Sequence, residues 1–167
     1  MTKFIIPKKP KKNQILQFFK KNNLNELINL SNSPKKSVNE MIVNTPYSPD
    51  LNDLYNLYHL IILNKRITIL EFGSGWSSII FSLALNHLKK KYLNSVKKLR
   101  RNNPFEIFIL ENEKKFLSIS KKRGVHYQKK LKLSTKVNYI FSDVYMTKFN
   151  GRICTEYRKL PQCNPDF

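Results

Sequence analysis

Cysteine is scarce in this sequence, and the two that occur, Cys154 and Cys163, are 9 positions apart. That spacing is not the paired Cys-x-x-Cys arrangement of a zinc site. Nothing in the sequence indicates secretion, which would favour a disulfide bond. We therefore expect two ordinary thiols and no metal site.

Long apolar runs are also missing. The longest apolar stretches, residues 60–63, 67–70 and 79–85, are far shorter than the about 18 residues that a membrane-spanning helix needs. The first 12 residues hold only one short apolar group before a run of Lys and Pro, which is too little for a signal peptide. With 167 residues, 41% of them hydrophobic, we predict one globular domain, a cytoplasmic location and no membrane partner.

Acidic residues are few: 11 Asp and Glu stand against 31 Lys and Arg, which gives a formal net charge of +20. Such a charge suggests nucleic acid as a partner, with residues 89–91 and 97–101 as its best local candidates. Lys, Asn and Ile dominate the composition together, however, and Lys outnumbers Arg, which reads phosphate better. We therefore attribute the charge to composition bias and do not favour nucleic acid as the partner.

The order of helix and strand signals divides the chain at residue 44. Residues 1–44 read as a basic arm and a leader of two short helices. From residue 45 the pattern is denser: a helix with Ser48 as N-cap and Pro49 at its first position runs to Asn64. Apolar strands follow at residues 66–72, 105–110 and 137–141. The intervening helices start at residue 76 or 77 and at residue 113, and Gly124 is expected to cap the second.

Strands of this buried type, alternating with helices, predict a doubly wound α/β sheet with parallel strands. Ligands of such sheets bind beyond the carboxyl ends of the strands. Here the first strand ends on Glu71, followed by Gly73, Ser74 and Gly75, where glycines let the backbone approach a ligand. The second strand ends on Glu111, an acceptor suited to a ribose diol, and the third on Asp143, an acceptor suited to an adenine amine.

These residues have less specific interpretations as well. A Gly-x-Gly pair is common in turns, Glu111 could cap the next helix, and Asp143 could simply start a turn. The ordered set of strand ends nevertheless favours a cofactor site. A nicotinamide or flavin dinucleotide site remains an alternative, although Ser78 stands where the Gly-x-Gly-x-x-Gly pattern needs its third glycine.

Residues 69–77 (ILEFGSGWS) resemble motif I of the class I S-adenosylmethionine-dependent methyltransferases, and residues 108–111 (FILE) resemble the acidic end of their second strand. The resemblance covers about residues 45–167. It implies a Rossmann-like sheet of strand order 3-2-1-4 and S-adenosylmethionine as cofactor. Gly73, Ser74 and Gly75 would line the methionine part, Glu71 would approach its ammonium group, Glu111 would bind the ribose hydroxyls and Asp143 would lie at the adenine.

Two features depart from that family. Ser77 replaces the usual third glycine, and the interval from Gly75 to Glu111 exceeds the usual distance of about 20 residues because residues 89–103 read as an insertion. A different class also stays open, a basic nucleic-acid-binding α/β module without methyl transfer.

The catalytic residues and the methyl acceptor are not predicted. Groups that handle the acceptor come from the fourth strand onward in the family, and residues 164–167 look like its beginning. We therefore expect the cofactor-binding half of a domain cut off at its C-terminus and inactive by itself. Arg152, Glu156 and Tyr157, in the connection before it, are at most candidates for a lid.

Overall fold

The structure, a computed structural model, describes residues 3–32 and 46–167. Its helices are α1 (Lys12–Lys21), α2 (Asn25–Ser31), α3 (Leu51–Asn64), α4 (Ser77–Val96) and α5 (Lys114–Lys130). Its strands are β1 (Thr68–Phe72), β2 (Glu106–Glu111), β3 (Lys136–Phe141), β4 (Val144–Phe149) and β5 (Arg152–Tyr157). The predicted α/β class and the two leader helices are confirmed. The predicted domain boundary at residues 44 and 45 lies outside the described residues.

Strands β1, β2 and β3 form a parallel sheet with β2 in the middle. Thr68 pairs with Glu106, and Glu106 pairs in turn with Lys136. All three carboxyl ends therefore meet at one edge of the sheet, as the sequence predicted. The strands begin within two residues of their predicted positions.

The other side of β1 is paired with the last residues of the chain. The Asp166 amide donates to the Thr68 carbonyl at 3.0 Å, and the Leu70 amide donates to the Phe167 carbonyl at 2.9 Å. The Asp166 carboxylate also accepts from the Thr68 amide at 2.9 Å and contacts Arg101 Nη2 at 3.0 Å. These contacts lie where the fourth strand was predicted to begin.

Two apolar clusters form the core. In the first, Ile69, Ile107 and Ile109 of the sheet pack against Ile61 of α3 and Leu85 of α4, all fully buried. In the second, the fully buried leader residues Phe19, Leu24 and Leu27 pack on α3, α4 and α5. Burial of one such side chain contributes about 1.5–3 kcal/mol, so the leader helices add substantially to the stability of the fold.

Among the described residues, the helices that reach the sheet all lie on the face that carries Ile69, Ile109 and Tyr139. The opposite face includes Phe72, which is 59% exposed and whose ring contacts Tyr157 of β5. The protein thus has an α/β fold with a parallel sheet. A doubly wound sheet has helices on both faces, and residues 3–32 and 46–167 place helices on one face only.

The predicted start of α3 was wrong by two residues. Asp50, not Ser48, is the N-cap, and its carboxylate accepts from the amides of Asn52 at 2.9 Å and Asp53 at 3.1 Å. A carboxylate also interacts favourably with the positive end of the helix, which a hydroxyl does not. Helix α4 extends to Val96 and so includes part of the predicted insertion at residues 89–103. Val96 is buried in the first core cluster, which holds this end of the helix in place.

The connection after β3 is an antiparallel hairpin of β4 and β5 rather than a loop. Asn150 and Gly151 form its turn with φ angles of 48° and 77°, the conformation that an Asn-Gly pair favours in two-residue hairpins. The lid candidates Arg152, Glu156 and Tyr157 are part of β5. The Asn-Gly pair is the sequence signal that predicts this hairpin.

Gly124 was predicted to end α5, and this was wrong: the helix continues to Lys130. A Cβ added at Gly124 would lie 1.8 Å from the Tyr139 hydroxyl oxygen. The glycine therefore lets the helix approach β3, and it has no role as a cap.

We predict that Gly124→Ala lowers the free energy of unfolding by about 1–2 kcal/mol, because overpacking outweighs the helix propensity gained from alanine. Urea denaturation measures the change. Ser118→Ala, on the exposed side of α5, is the control and should stay within about 0.5 kcal/mol. Adding Tyr139→Phe to Gly124→Ala removes the atom in closest contact and should recover much of the loss. No recovery would contradict the packing explanation.

Candidate functional site

A cavity of about 400 Å³ opens at the carboxyl edge of the sheet. Its wall combines the loop after β1, the end of β2, one side of α5 and the segment before α3. The lining residues are Pro46, Tyr47, Gly73, Ser74, Gly75, Trp76, Glu111, Phe116, Ile119, Ser120 and Arg123. The volume falls within the range of small-molecule sites. Four of the six residues predicted from the sequence line this one cavity.

Glu111 is the centre of the polar contacts. Its Oε2 accepts from the Ser74 amide at 2.9 Å and from the Ser74 hydroxyl at 2.7 Å, while Oε1 accepts from the amides of Asn112 at 2.9 Å and Glu113 at 3.1 Å. The residue is only 6% exposed. A carboxylate offers about four acceptor positions, so the chain itself occupies all of them. One oxygen holds the turn that leads into α5, but its two donors precede the helix, whose N-cap is Glu113, so Glu111 is not a helix cap.

The loop of Gly73, Ser74 and Gly75 has space beside its backbone. Gly73 adopts a φ of +85°, a conformation that favours glycine, and its amide donates to the Leu110 carbonyl at 2.8 Å. No atom lies within 4 Å of a Cβ added there. A Cβ added at Gly75 would meet only Ser77 Oγ, at an ordinary 3.5 Å. The glycine at position 75 is therefore not required by contacts within the chain.

Glu71 lies below this loop with Ser77, the residue in place of the third glycine. The Ser77 hydroxyl donates to Glu71 Oε1, whereas the buried Oε2 has no hydrogen-bond partner in the described part of the chain. Burial raises the pKa of Glu71 to about 7; the Ser77 hydrogen bond acts against this rise, and the charge of Glu111 adds to it. Glu71 itself is not among the residues that line the cavity, although it directly precedes the loop that does.

The opposite wall is aromatic and basic. The Arg123 guanidinium lies over the Trp76 ring, 3.6 Å from its centroid, and Trp76 Nε1 donates to the Tyr47 carbonyl at 2.9 Å. Sequence reasoning missed Arg123. The signal was its spacing: Phe116, Ile119, Ser120 and Arg123 follow at i, i+3, i+4 and i+7 along α5, which places them on one side of the helix.

Asp143 is not among the residues that line the cavity. It is exposed and lies between β3 and β4, where its carbonyl accepts from the Arg158 amide at 2.8 Å. This hydrogen bond continues the pairing of β4 with β5 by one residue, so Asp143 belongs to the start of the hairpin. The structure therefore brings Glu71, the glycine loop and Glu111 together and leaves Asp143 apart.

Within residues 3–32 and 46–167, no group of three or more His, Cys, Asp or Glu side chains could hold a metal ion. Cys154 and Cys163 are free thiols. No helix in the same ranges is long and apolar enough to cross a membrane.

Comparison with known proteins adds no further guide to the site. No protein-family profile matches the chain, and no curated protein or solved structure matches it either.

We predict that Glu71 makes the stability depend on pH. The folded-state pKa, about 7, lies above the ordinary value of 4.5, so the folded protein keeps a proton that the unfolded chain releases. Its contribution to stability is complete below about pH 4.5 and declines as the pH rises toward about 7. Glu71→Gln should remove this decline in thermal melts recorded from about pH 5 to about pH 8.

The exposed Glu113, changed to Gln, is the control for Glu71→Gln and should leave the pH profile as it is. An unaltered slope in Glu71→Gln would show that another group titrates.

Proposed function

We propose that this chain is the cofactor-binding part of an S-adenosylmethionine-dependent methyltransferase with a Rossmann-like sheet. One observation carries the proposal: the buried Glu111 at the end of β2 and the glycine loop after β1 are joined through Ser74 and line the same cavity. The sheet brings the two strand ends side by side because β1 and β2 are parallel neighbours. Ligands of such sheets bind at that edge.

The residues fit the adenosine part of this cofactor. A ribose diol donates hydrogen bonds, and Glu111 only accepts them. The Ser74 hydroxyl can rotate away and leave its place on Oε2 to a ribose hydroxyl, while the Ser74 amide keeps the loop attached. Phe116 and Ile119 supply apolar wall for the base. Asp143 has no part in this arrangement.

The residues also fit the charged part. S-adenosylmethionine carries a sulfonium and an ammonium group, both positive, and the loop is flanked by the carboxyl groups of Glu71 and Glu111. Glu71 does not line the cavity, so its charge would act on the ligand from behind the lining residues and not through a direct contact. The open space beside Gly73 and Gly75 lets a ligand approach the backbone.

The cofactor brings an activated methyl group, so the protein mainly has to orient donor and acceptor. The residues of this chain bind and orient the donor: Glu111 fixes the ribose, and the loop fixes the amino-acid part. No residue is assigned to the methyl acceptor.

The dinucleotide alternative fits less well. A pyrophosphate needs free amides at the start of the helix, whereas the Ser74 amide is bound to Glu111. Two neighbouring carboxyl groups also repel phosphates. Ser78, at the third glycine position, is buried with its hydroxyl donating to the Gly75 carbonyl at 2.9 Å. A nucleic-acid-binding module, for its part, would not need this small enclosed site.

We predict that the chain binds S-adenosylmethionine more tightly than NAD in isothermal titration calorimetry. Glu111→Gln should weaken S-adenosylmethionine binding by about tenfold or more, because the charge-assisted bond to a ribose hydroxyl is lost. Ser74→Ala, which removes only the competing hydroxyl, is the matched control and should bind at least as tightly as the original chain. Tighter binding of NAD would overturn the proposal.

We further predict that Gly75→Val abolishes S-adenosylmethionine binding while the thermal melt shifts little. The contacts within the chain leave room for the first atom of the new side chain, but that side chain would fill the space beside the loop. Retained binding in folded Gly75→Val would remove the loop from the ligand site.

A further inference from the structure

The wall formed by α5 carries an unbalanced positive charge. Arg123 is the one cationic residue among the described residues that line the cavity, and none of the ion pairs formed within residues 3–32 and 46–167 includes it. Burial lowers the pKa of Arg123, while Tyr127 and Tyr139 act in the opposite direction. A guanidinium nevertheless stays protonated in proteins. The wall thus holds a partly desolvated cation without a counter-charge.

The stack on Trp76 fixes how this cation is presented. A distance of 3.6 Å from the guanidinium carbon to the ring centroid is a face-on van der Waals contact. Such stacking occupies the face of the guanidinium and leaves the N–H groups on its rim free. Trp76 is held in turn through Nε1 by the Tyr47 carbonyl. The rim is therefore available for a planar, bidentate partner such as a carboxylate.

The cavity has charges of both signs at separate places. Glu111 lies at the end of β2 and suits hydroxyl donors and positive groups, whereas Arg123 lies on the helix wall and suits an anion. A ligand that carries a diol, a positive centre and one negative group satisfies both. A single guanidinium matches one negative charge, and the neighbouring carboxyl groups disfavour a ligand with more.

We infer that Arg123 binds the carboxylate of the ligand's amino-acid part, held in a fixed orientation by its stack on Trp76. This inference rests on the proposed function, because it takes the amino-acid part to be that of S-adenosylmethionine. A phosphate offers similar bidentate chemistry, so the experiment separates the two anions.

The test measures binding to the full chain by isothermal titration calorimetry with three ligands: S-adenosylmethionine, its decarboxylated analogue and ADP. Arg123→Met keeps an apolar stem on Trp76 and removes the charge. We expect it to weaken S-adenosylmethionine binding by about 10-fold to 100-fold and to leave binding of the decarboxylated analogue within about twofold. Arg123→Lys keeps the charge but loses the paired N–H groups of the guanidinium. Its affinity for S-adenosylmethionine should lie between those of the original chain and Arg123→Met.

Arg158→Met is the matched control, since Arg158 also lies over an aromatic ring, that of Tyr145 at 5.1 Å, and does not line the cavity. It should change no affinity. If Arg123→Met lost affinity equally for both adenosyl ligands, the role of Arg123 would be structural. That result would overturn this inference and leave the proposed function standing.

Tight ADP binding that Arg123→Met abolishes would assign the residue to phosphate and overturn the carboxylate assignment. Failure of the unaltered chain to bind either adenosyl ligand would overturn the proposed function, and this inference with it.

Discussion

The site depends on one carboxylate. Glu111 joins two segments 37 residues apart, because its Oε2 holds Ser74 of the loop after β1 and its Oε1 holds the turn after β2. Both segments lead into helices, the first into α4 and the second into α5. A buried donor left without its acceptor costs about 1–3 kcal/mol. Any ligand that takes an acceptor position on Glu111 must replace the donor that leaves it.

The charge of Glu111 affects the neighbouring carboxyl group. A second carboxyl group nearby, that of Glu71, is disfavoured as an anion, and its pKa rises to about 7 through burial and the charge of Glu111. The pair suits a positive or hydrogen-donating ligand group, which would offset their repulsion. Arg123, stacked on Trp76, gives the α5 wall the opposite character. The cavity is therefore polarised between the sheet edge and the helix.

Much of the sheet edge was predictable from the sequence, because the carboxyl ends of parallel strands meet whatever the loops do. That rule brought Glu71, the loop and Glu111 together. It failed at Asp143 because the chain continues from β3 directly into the β4–β5 hairpin, where Asp143 is opposite Arg158. Gly124 was misassigned because the atom that requires a glycine belongs to Tyr139, on another element. Arg123 was missed for the same reason: helical spacing gives a face, and only packing shows what that face meets.

The most direct measurement is an NMR titration of the ¹⁵N-labelled chain with S-adenosylmethionine. If the ligand takes the Ser74 hydroxyl's place on Glu111, the amide signals of Gly73, Ser74 and Glu113 should shift together along one saturating curve. These amides report the two segments that Glu111 joins. Shifts confined to the β4–β5 hairpin, or no saturable shift at these amides, would contradict the assignment of this cavity as the cofactor site.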